Sequence, residues 1–106
     1  MTSIYLLTFD GFAEHKESLL RFLDSRPQIT DWHTSMSNTV IVVTELRVGE
    51  LCDLLREGPV GSFIVVELRP EGYDKTIGGW LPRATWEFID RKAAERKTAE
   101  LKASVV

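Results

Sequence analysis

A single acidic residue stands where the first predicted strand ends, and it is the first candidate for chemistry. Ile4 to Phe9 is apolar and rich in β-forming residues, and Asp10-Gly11 follows it as a turn signal. A carboxylate at this position projects from the end of a rigid strand into solvent, where it could bind Mg²⁺ or Mn²⁺. One carboxylate holds such an ion weakly, so a catalytic metal site would need the second Asp10 of a two-fold dimer. The alternative is an aspartate that caps the turn at Gly11.

His15 and Cys52 are weaker candidates. His15 and Glu14 begin the helix expected after Asp10, within reach of its carboxylate, and an imidazole there could carry a proton. An exposed histidine in a first helical turn more often has no catalytic role. Cys52, the single cysteine, falls on the inner side of the second predicted helix, which favours a core position over a nucleophile.

A serine, histidine and acid set can be drawn around His33. His33 shares a predicted strand face with Asp31 and Ser35, and Ser37 follows in the turn. Strand neighbours two residues apart point the same way, but they do not aim at one another as a catalytic triad requires. The spacing therefore argues against a triad. The sequence also contains no phosphate loop, nucleotide fingerprint, zinc motif or nucleophile elbow.

The elements that must position these residues follow from hydrophobic periodicity. Strands are predicted at 4–9, 29–36, 39–44 and 62–68, and helices at 14–23 and 48–56. The first and third strands are apolar on both faces, which predicts that they lie inside the sheet. This pattern predicts an α+β ferredoxin-like βαββαβ sandwich, with an antiparallel sheet in the order 4-1-3-2 and a C-terminal helical extension.

The chain after the sandwich divides into two further segments. Residues 1–69 form the predicted core, 70–90 a polar connector and a docking helix, and 91–106 a charged tail that is expected to fray. The docking helix starts near Pro82 and carries Trp86, Ile89 and Ala93 on one face. A solvated helix is the first interpretation of the tail, and a basic arm for nucleic acid is the alternative.

Three tryptophans are candidates for an interface. Trp32, Trp80 and Trp86 could stack on bases, cover the open face of the sheet or contact a partner subunit. Two helices cover only one face of a ferredoxin-like sheet, whereas the interior strands need cover on both. The chain after residue 70 and a second subunit are the obvious covers, which favours a homodimer joined through the sheet face or its edge.

Composition limits the class of protein. The 106 residues, 43% hydrophobic and 27% charged, fit one domain, and the longest apolar runs are far shorter than the ~20 residues of a membrane span. The N-terminus lacks the basic region of a signal peptide, so a cytoplasmic protein is expected. Residues 1–82 carry a net charge of −5 and residues 83–106 one of +2. A pI near 5.4 gives no support to wide phosphate contacts, so nucleic-acid binding is possible but not favoured by charge.

Three short segments resemble small bacterial proteins of the SinR-like group. They are YLLTFD at 5–10, WHTSMSNTV at 32–40 and GWLPRATW at 79–86. That group is in turn similar to the CRISPR-associated protein 2 family, whose members are ferredoxin-like homodimers. The resemblance implies that Asp10 matches the acid proposed in that family to bind a divalent metal between two subunits for phosphodiester cleavage. Many of those relatives hold DNA without cutting it.

Two functions are therefore expected. The first is a nucleic-acid-associated homodimer like the CRISPR-associated family, in its sharper form a metal-dependent nuclease in which two Asp10 carboxylates hold Mg²⁺ or Mn²⁺ and activate a water molecule. The second is a non-catalytic, homo-oligomeric protein-interaction module whose tail recruits a partner protein.

Overall fold

The predicted strands and helices are present, with bounds that agree to within one residue over the sandwich. The computed structural model describes residues 2–10, 13–69 and 82–104. Its elements are β1 (Ser3–Phe9), α1 (Ala13–Asp24), β2 (Ile29–Met36), β3 (Thr39–Thr44), α2 (Val48–Arg56), β4 (Phe63–Leu68) and α3 (Arg83–Ser104). In the part of the chain so described, no helix is both long and apolar enough to cross a membrane.

The described strands form one antiparallel sheet in the order β2-β3-β1-β4. Read from the other edge, this is the predicted order 4-1-3-2. The chain is therefore an α+β protein, and its arrangement is compatible with a ferredoxin-like fold. The two strands that are apolar on both faces, β1 and β3, lie inside the sheet as predicted. The two edge strands are β2 and β4.

Helices α1 and α2 cover one face of the sheet. Leu19 and Leu23 of α1 and Leu51 and Leu55 of α2 are almost completely buried, because they recur at helical spacing on one side of each helix. They pack on alternate residues of the interior strands: Tyr5, Leu7, Phe9, Val40 and Val42. Val48, although apolar, is 46% exposed because it is the first residue of α2 and lies beyond the packed cluster.

Helix α3 covers part of the opposite face. Phe88 and Ile89 pack there against the other alternation of the sheet, namely Ile4, Ile41, Val43 and Leu68. The helix has 22 residues, which corresponds to about 33 Å of length. Its buried positions continue to Ala93 and Arg96, beyond the boundary at residue 90 that the sequence suggested. The extension is thus a third layer that sits on the sheet.

The alternation expected along β2 is interrupted by two irregularities. The pairing with β3 shifts between Ile29 and Asp31 and again between Thr34 and Met36. The second shift places Met36 directly opposite Thr39, so Met36 does not share a face with Thr34 as strict alternation would require. A bulge inserts one unpaired residue and reverses the facing of the residues that follow it.

Candidate functional site

Asp10 lies at the end of β1, where the β2–β3 turn and the start of β4 meet. The backbone N–H of Phe9 donates to the carbonyl of Asn38, and the backbone N–H of Asp10 donates to the carbonyl of Ser62, both at 3.0 Å. These two bonds fix the main chain of β1 between its neighbours up to its last residue. The side chain of Asp10 is exposed. The structure therefore places this carboxylate on a rigid support that opens to solvent, as predicted.

An open cavity of about 330 Å³ adjoins Asp10. The residues that line it include Asp10, Asn38 and Ser62, which carry oxygen atoms, and the apolar residues Phe63 and Ile64. Oxygen atoms of these types are the ligands that hard divalent cations prefer. The cavity is consequently the part of the described chain that best suits the cation hypothesis.

The described residues of one chain do not form a complete metal site. Across the described side chains, no group of three or more His, Cys, Asp or Glu could hold an ion. Asp10 supplies one carboxylate, and His15 is half-buried on α1. The side chain of Glu14 lies outside the described residues. Mg²⁺ needs several oxygen ligands in near-octahedral geometry, so a structural role for an ion here would require water or a second chain.

His33 contacts α3 and helps to hold that helix on the sheet. Its Nε2 atom lies 2.9 Å from the hydroxyl oxygen of Thr85, which is almost completely buried. Its ring stacks on that of Phe88 with centroids 5.0 Å apart. The side chain of Ser35 lies outside the described residues, and Ser37 is exposed. The described contacts of His33 with Thr85 and Phe88 both join β2 to α3.

An ion pair next to His33 joins the same two elements. A carboxylate oxygen of Asp31 lies 2.9 Å from Nζ of Lys92. Partial burial opposes the ionisation of Asp31, but the hydrogen bonds from Lys92 and from the backbone N–H of Trp32 outweigh it, so the pKa of Asp31 lies below its ordinary value. Burial likewise opposes the charge of Lys92, but hydrogen bonds to Asp31 and Glu95 raise its pKa. The pair is charged at neutral pH.

The tryptophans proposed as interface residues have partners within the chain where they are described. Trp32 is half-buried against the layer of α1 and α2, and its indole N–H donates to the carboxylate of Asp24 at 2.7 Å. Trp86 is half-buried against the layer under α3. Trp80 lies outside the described residues. Cys52 is a half-buried free thiol on α2.

An exposed apolar surface on β4 was not singled out from the sequence. Ile64 is 67% exposed and Val66 is 50% exposed, and both lie on the α3 side of the sheet, where the helix leaves them uncovered. The run Phe63 to Leu68 has the composition of a buried strand, so its residues alone did not indicate that part of it would be exposed. The predicted strand order did contain the signal, because it already placed the fourth strand at an edge.

Comparisons with models of known protein families, with curated proteins and with solved structures find no match for this chain.

Proposed function

We propose that this chain is a homo-oligomeric interaction module, without catalytic chemistry of its own, that associates through the outer edge of β4. The observation that carries the proposal is the exposure of Ile64 and Val66 on an edge strand. Among the described residues, this apolar edge presents both backbone groups that no neighbouring strand pairs and side chains that gain from leaving water. Such an edge favours pairing with a further strand.

The opposite edge of the sheet, β2, is held by contacts with α3. On β2 the ion pair of Asp31 with Lys92 lies beside the strand, and His33 is engaged by α3. Charged residues and a covering helix are two of the ways in which proteins protect an edge against pairing. On β4 the one charged residue, Glu67, also has ion-pair partners: Arg96 of α3 at 3.9 Å and Arg69 at 3.2 Å. The two edges differ in their exposed apolar residues, since β4 exposes Ile64 and Val66 whereas β2 exposes Met36, and this difference directs the proposed association to β4.

Molar mass measured against concentration tests this proposal. In sedimentation or light-scattering experiments from about 1 µM to about 1 mM, we expect a concentration-dependent rise above the monomer mass of 12.1 kDa. Val66→Lys should abolish the rise, because a lysine at the paired face must be desolvated. Leu101→Lys is the matched control, since Leu101 is 58% exposed on α3, and it should behave as the wild type. A monomer at every concentration would refute the proposal.

A metal-dependent phosphodiesterase acting on nucleic acid is the second candidate. Two observations favour it. Asp10, Asn38 and Ser62, whose oxygen atoms could be metal ligands, line one open cavity, and the chain resembles the CRISPR-associated protein 2 family. In this function two Asp10 carboxylates, one from each copy, hold Mg²⁺ or Mn²⁺ and activate a water molecule for attack on phosphorus. The acidic charge of the chain weighs against wide contacts with phosphates.

Cleavage of labelled oligonucleotides with and without Mg²⁺ or Mn²⁺ tests the second candidate. Asp10→Ala should abolish any cleavage and leave the fold intact. Asp53→Ala is the control, because it removes another exposed carboxylate, on α2. Cleavage retained in Asp10→Ala would exclude this mechanism. Binding without cleavage should weaken as salt rises, since contacts with phosphates release counterions.

A further inference from the structure

We infer that the partner of β4 is a second copy of this chain, paired antiparallel, β4 to β4, about a two-fold axis that passes beside Val65. The inference rests on the proposed self-association and specifies its geometry. A two-fold axis perpendicular to the sheet reverses the strand direction and keeps both α3 helices on the same side. The product is one continuous eight-stranded sheet.

The backbone of β4 determines which of its residues can pair outward. The carbonyl of Ser62 accepts a hydrogen bond from Asp10 at the end of β1, so the backbone groups of Ser62 point toward β1. In an antiparallel ladder the direction alternates from residue to residue. Ile64 and Val66 therefore also point their backbone groups toward β1, while those of Phe63, Val65 and Glu67 point away from the sheet.

Only one two-fold register uses all of the outward groups. With the axis at Val65, Phe63 pairs with Glu67 of the second copy and Val65 pairs with itself. Each outward N–H and carbonyl of the strand is then bonded. Moving the axis by one residue to Ile64 or Val66 leaves some of these groups without a partner inside the strand. Because each backbone hydrogen bond contributes about 0.5–1.5 kcal/mol, the Val65 axis, which forms the most bonds within the strand, is favoured.

The side chains agree with the same register. Ile64 of each copy lies directly opposite Val66 of the other, which brings together the exposed apolar residues of both strands on the α3 side. Glu67 lies opposite Phe63, so no acid faces an acid. An axis at Glu67 would place the two Glu67 carboxylates opposite one another, and like charges in that position are destabilising. Charge and apolar patterns thus select a second copy at this register.

The pairing closes at two copies. The β2 edge carries the Asp31–Lys92 ion pair and is contacted by α3, so a dimer joined at β4 presents two protected outer edges. An isologous interface of this kind uses the same residues on both sides and does not propagate into a filament. The strand has six residues, so the interface is small and its association should be weak and concentration-dependent.

This geometry separates the two Asp10 carboxylates. Asp10 lies beside Ser62, three residues from the axis, which is about 10 Å along the strand. The two β1 strands are separated by three strand spacings of about 4.8 Å. The two Asp10 positions are then about 25 Å apart, whereas ligands of one Mg²⁺ lie about 2 Å from the ion. A dimer paired at β4 cannot share a metal between its Asp10 residues.

Mixed disulfides test the register directly. In a Cys52→Ser background, Ile64→Cys and Val66→Cys chains are oxidised separately and as an equimolar mixture, and the products are identified by mass. In the proposed dimer the two positions form a non-hydrogen-bonded pair with Cα atoms about 4.5 Å apart, which a disulfide can span. Position 64 lies about 8 Å from its own copy, which is beyond that range. The mixture should therefore give covalent heterodimers, and each single variant should remain largely reduced.

The outcomes distinguish the register from the proposed function. Heterodimer formation in the mixture alone supports both. A protein that dimerises by mass, but cross-links equally in the single variants or not at all in the mixture, overturns the register and leaves self-association standing. A protein that is monomeric by mass at every concentration overturns both.

Discussion

The attachment of α3 to the sheet gives the sharpest test of the packing. Phe88 is 6% exposed, lies in the cluster under α3 and stacks on His33. Truncating a buried phenylalanine to alanine lowers the free energy of unfolding by about 3–5 kcal/mol. An aromatic ring pair such as that of Phe88 with His33 contributes about 0.5–1.5 kcal/mol. Because α3 can shift to fill part of the space, we expect Phe88→Ala to lower the free energy of unfolding by about 3 kcal/mol.

Urea unfolding followed by far-ultraviolet circular dichroism and by tryptophan fluorescence measures this loss. Trp86 reports on α3, because it packs into the same cluster as Phe88, while Trp32 reports on the other layer. Leu101→Ala is the control on the same helix, since Leu101 is 58% exposed and its truncation should change stability by less than about 0.5 kcal/mol. A loss below about 1 kcal/mol in Phe88→Ala would refute the packing of α3 against the sheet.

Three further predictions concern single contacts. The pKa of Asp31 is lowered in the folded chain, so its contribution to stability is present above its unfolded pKa and disappears as the pH falls through the folded pKa. The stability difference between wild type and Asp31→Asn, measured by urea unfolding, should therefore shrink below about pH 4 and be constant near neutral pH, where Lys92 is also charged. Thr44→Val should cost about 1–3 kcal/mol in the same assay, because the buried Thr44 hydroxyl donates to the carbonyl of Gln28 at 2.6 Å and that carbonyl would lose its partner. A single Asp10 carboxylate should bind Mg²⁺ too weakly to stabilise the monomer, so millimolar Mg²⁺ should leave the melting temperature of the monomer unchanged. Wild type and Asp10→Asn should then give equal melting curves in the presence of the ion.

The regular part of the fold was predictable because it depends on short-range patterns. The β-branched run of β3 and the apolar run of β1 indicate strands covered on both faces, and the positions of Leu19 and Leu23 indicate one face of a helix. The topology follows from those two facts, since a sheet in the order 4-1-3-2 has its first and third strands inside. Local sequence and tertiary structure agree over these elements.

Features that depend on distant residues were not predictable. The bulge before Met36 reverses its facing without any change in residue type that could indicate it. The contact between His33 and Thr85 joins residues 52 positions apart, and the helical stripe predicted from Trp86 and Ile89 did not include the buried Phe88. Asp10 was found because its position depends only on the end of a strand and a turn. Its chemistry depends on a second chain, which a single sequence does not specify.

The placement of α3 explains why apolar side chains of β4 are exposed. Thr85 and Lys92 of α3 make polar contacts with β2, whereas Arg96, farther along the helix, pairs with Glu67 of β4 at 3.9 Å. The apolar positions Ile64 and Val66 on the far strand then stay exposed. Because α3 contacts both edge strands but does not cover Ile64 and Val66, the extension that completes the core also leaves exposed the surface at which we propose that a second copy binds. Loss of the docked helix should therefore uncover further apolar surface on the interior strands and change defined dimerisation into less specific association.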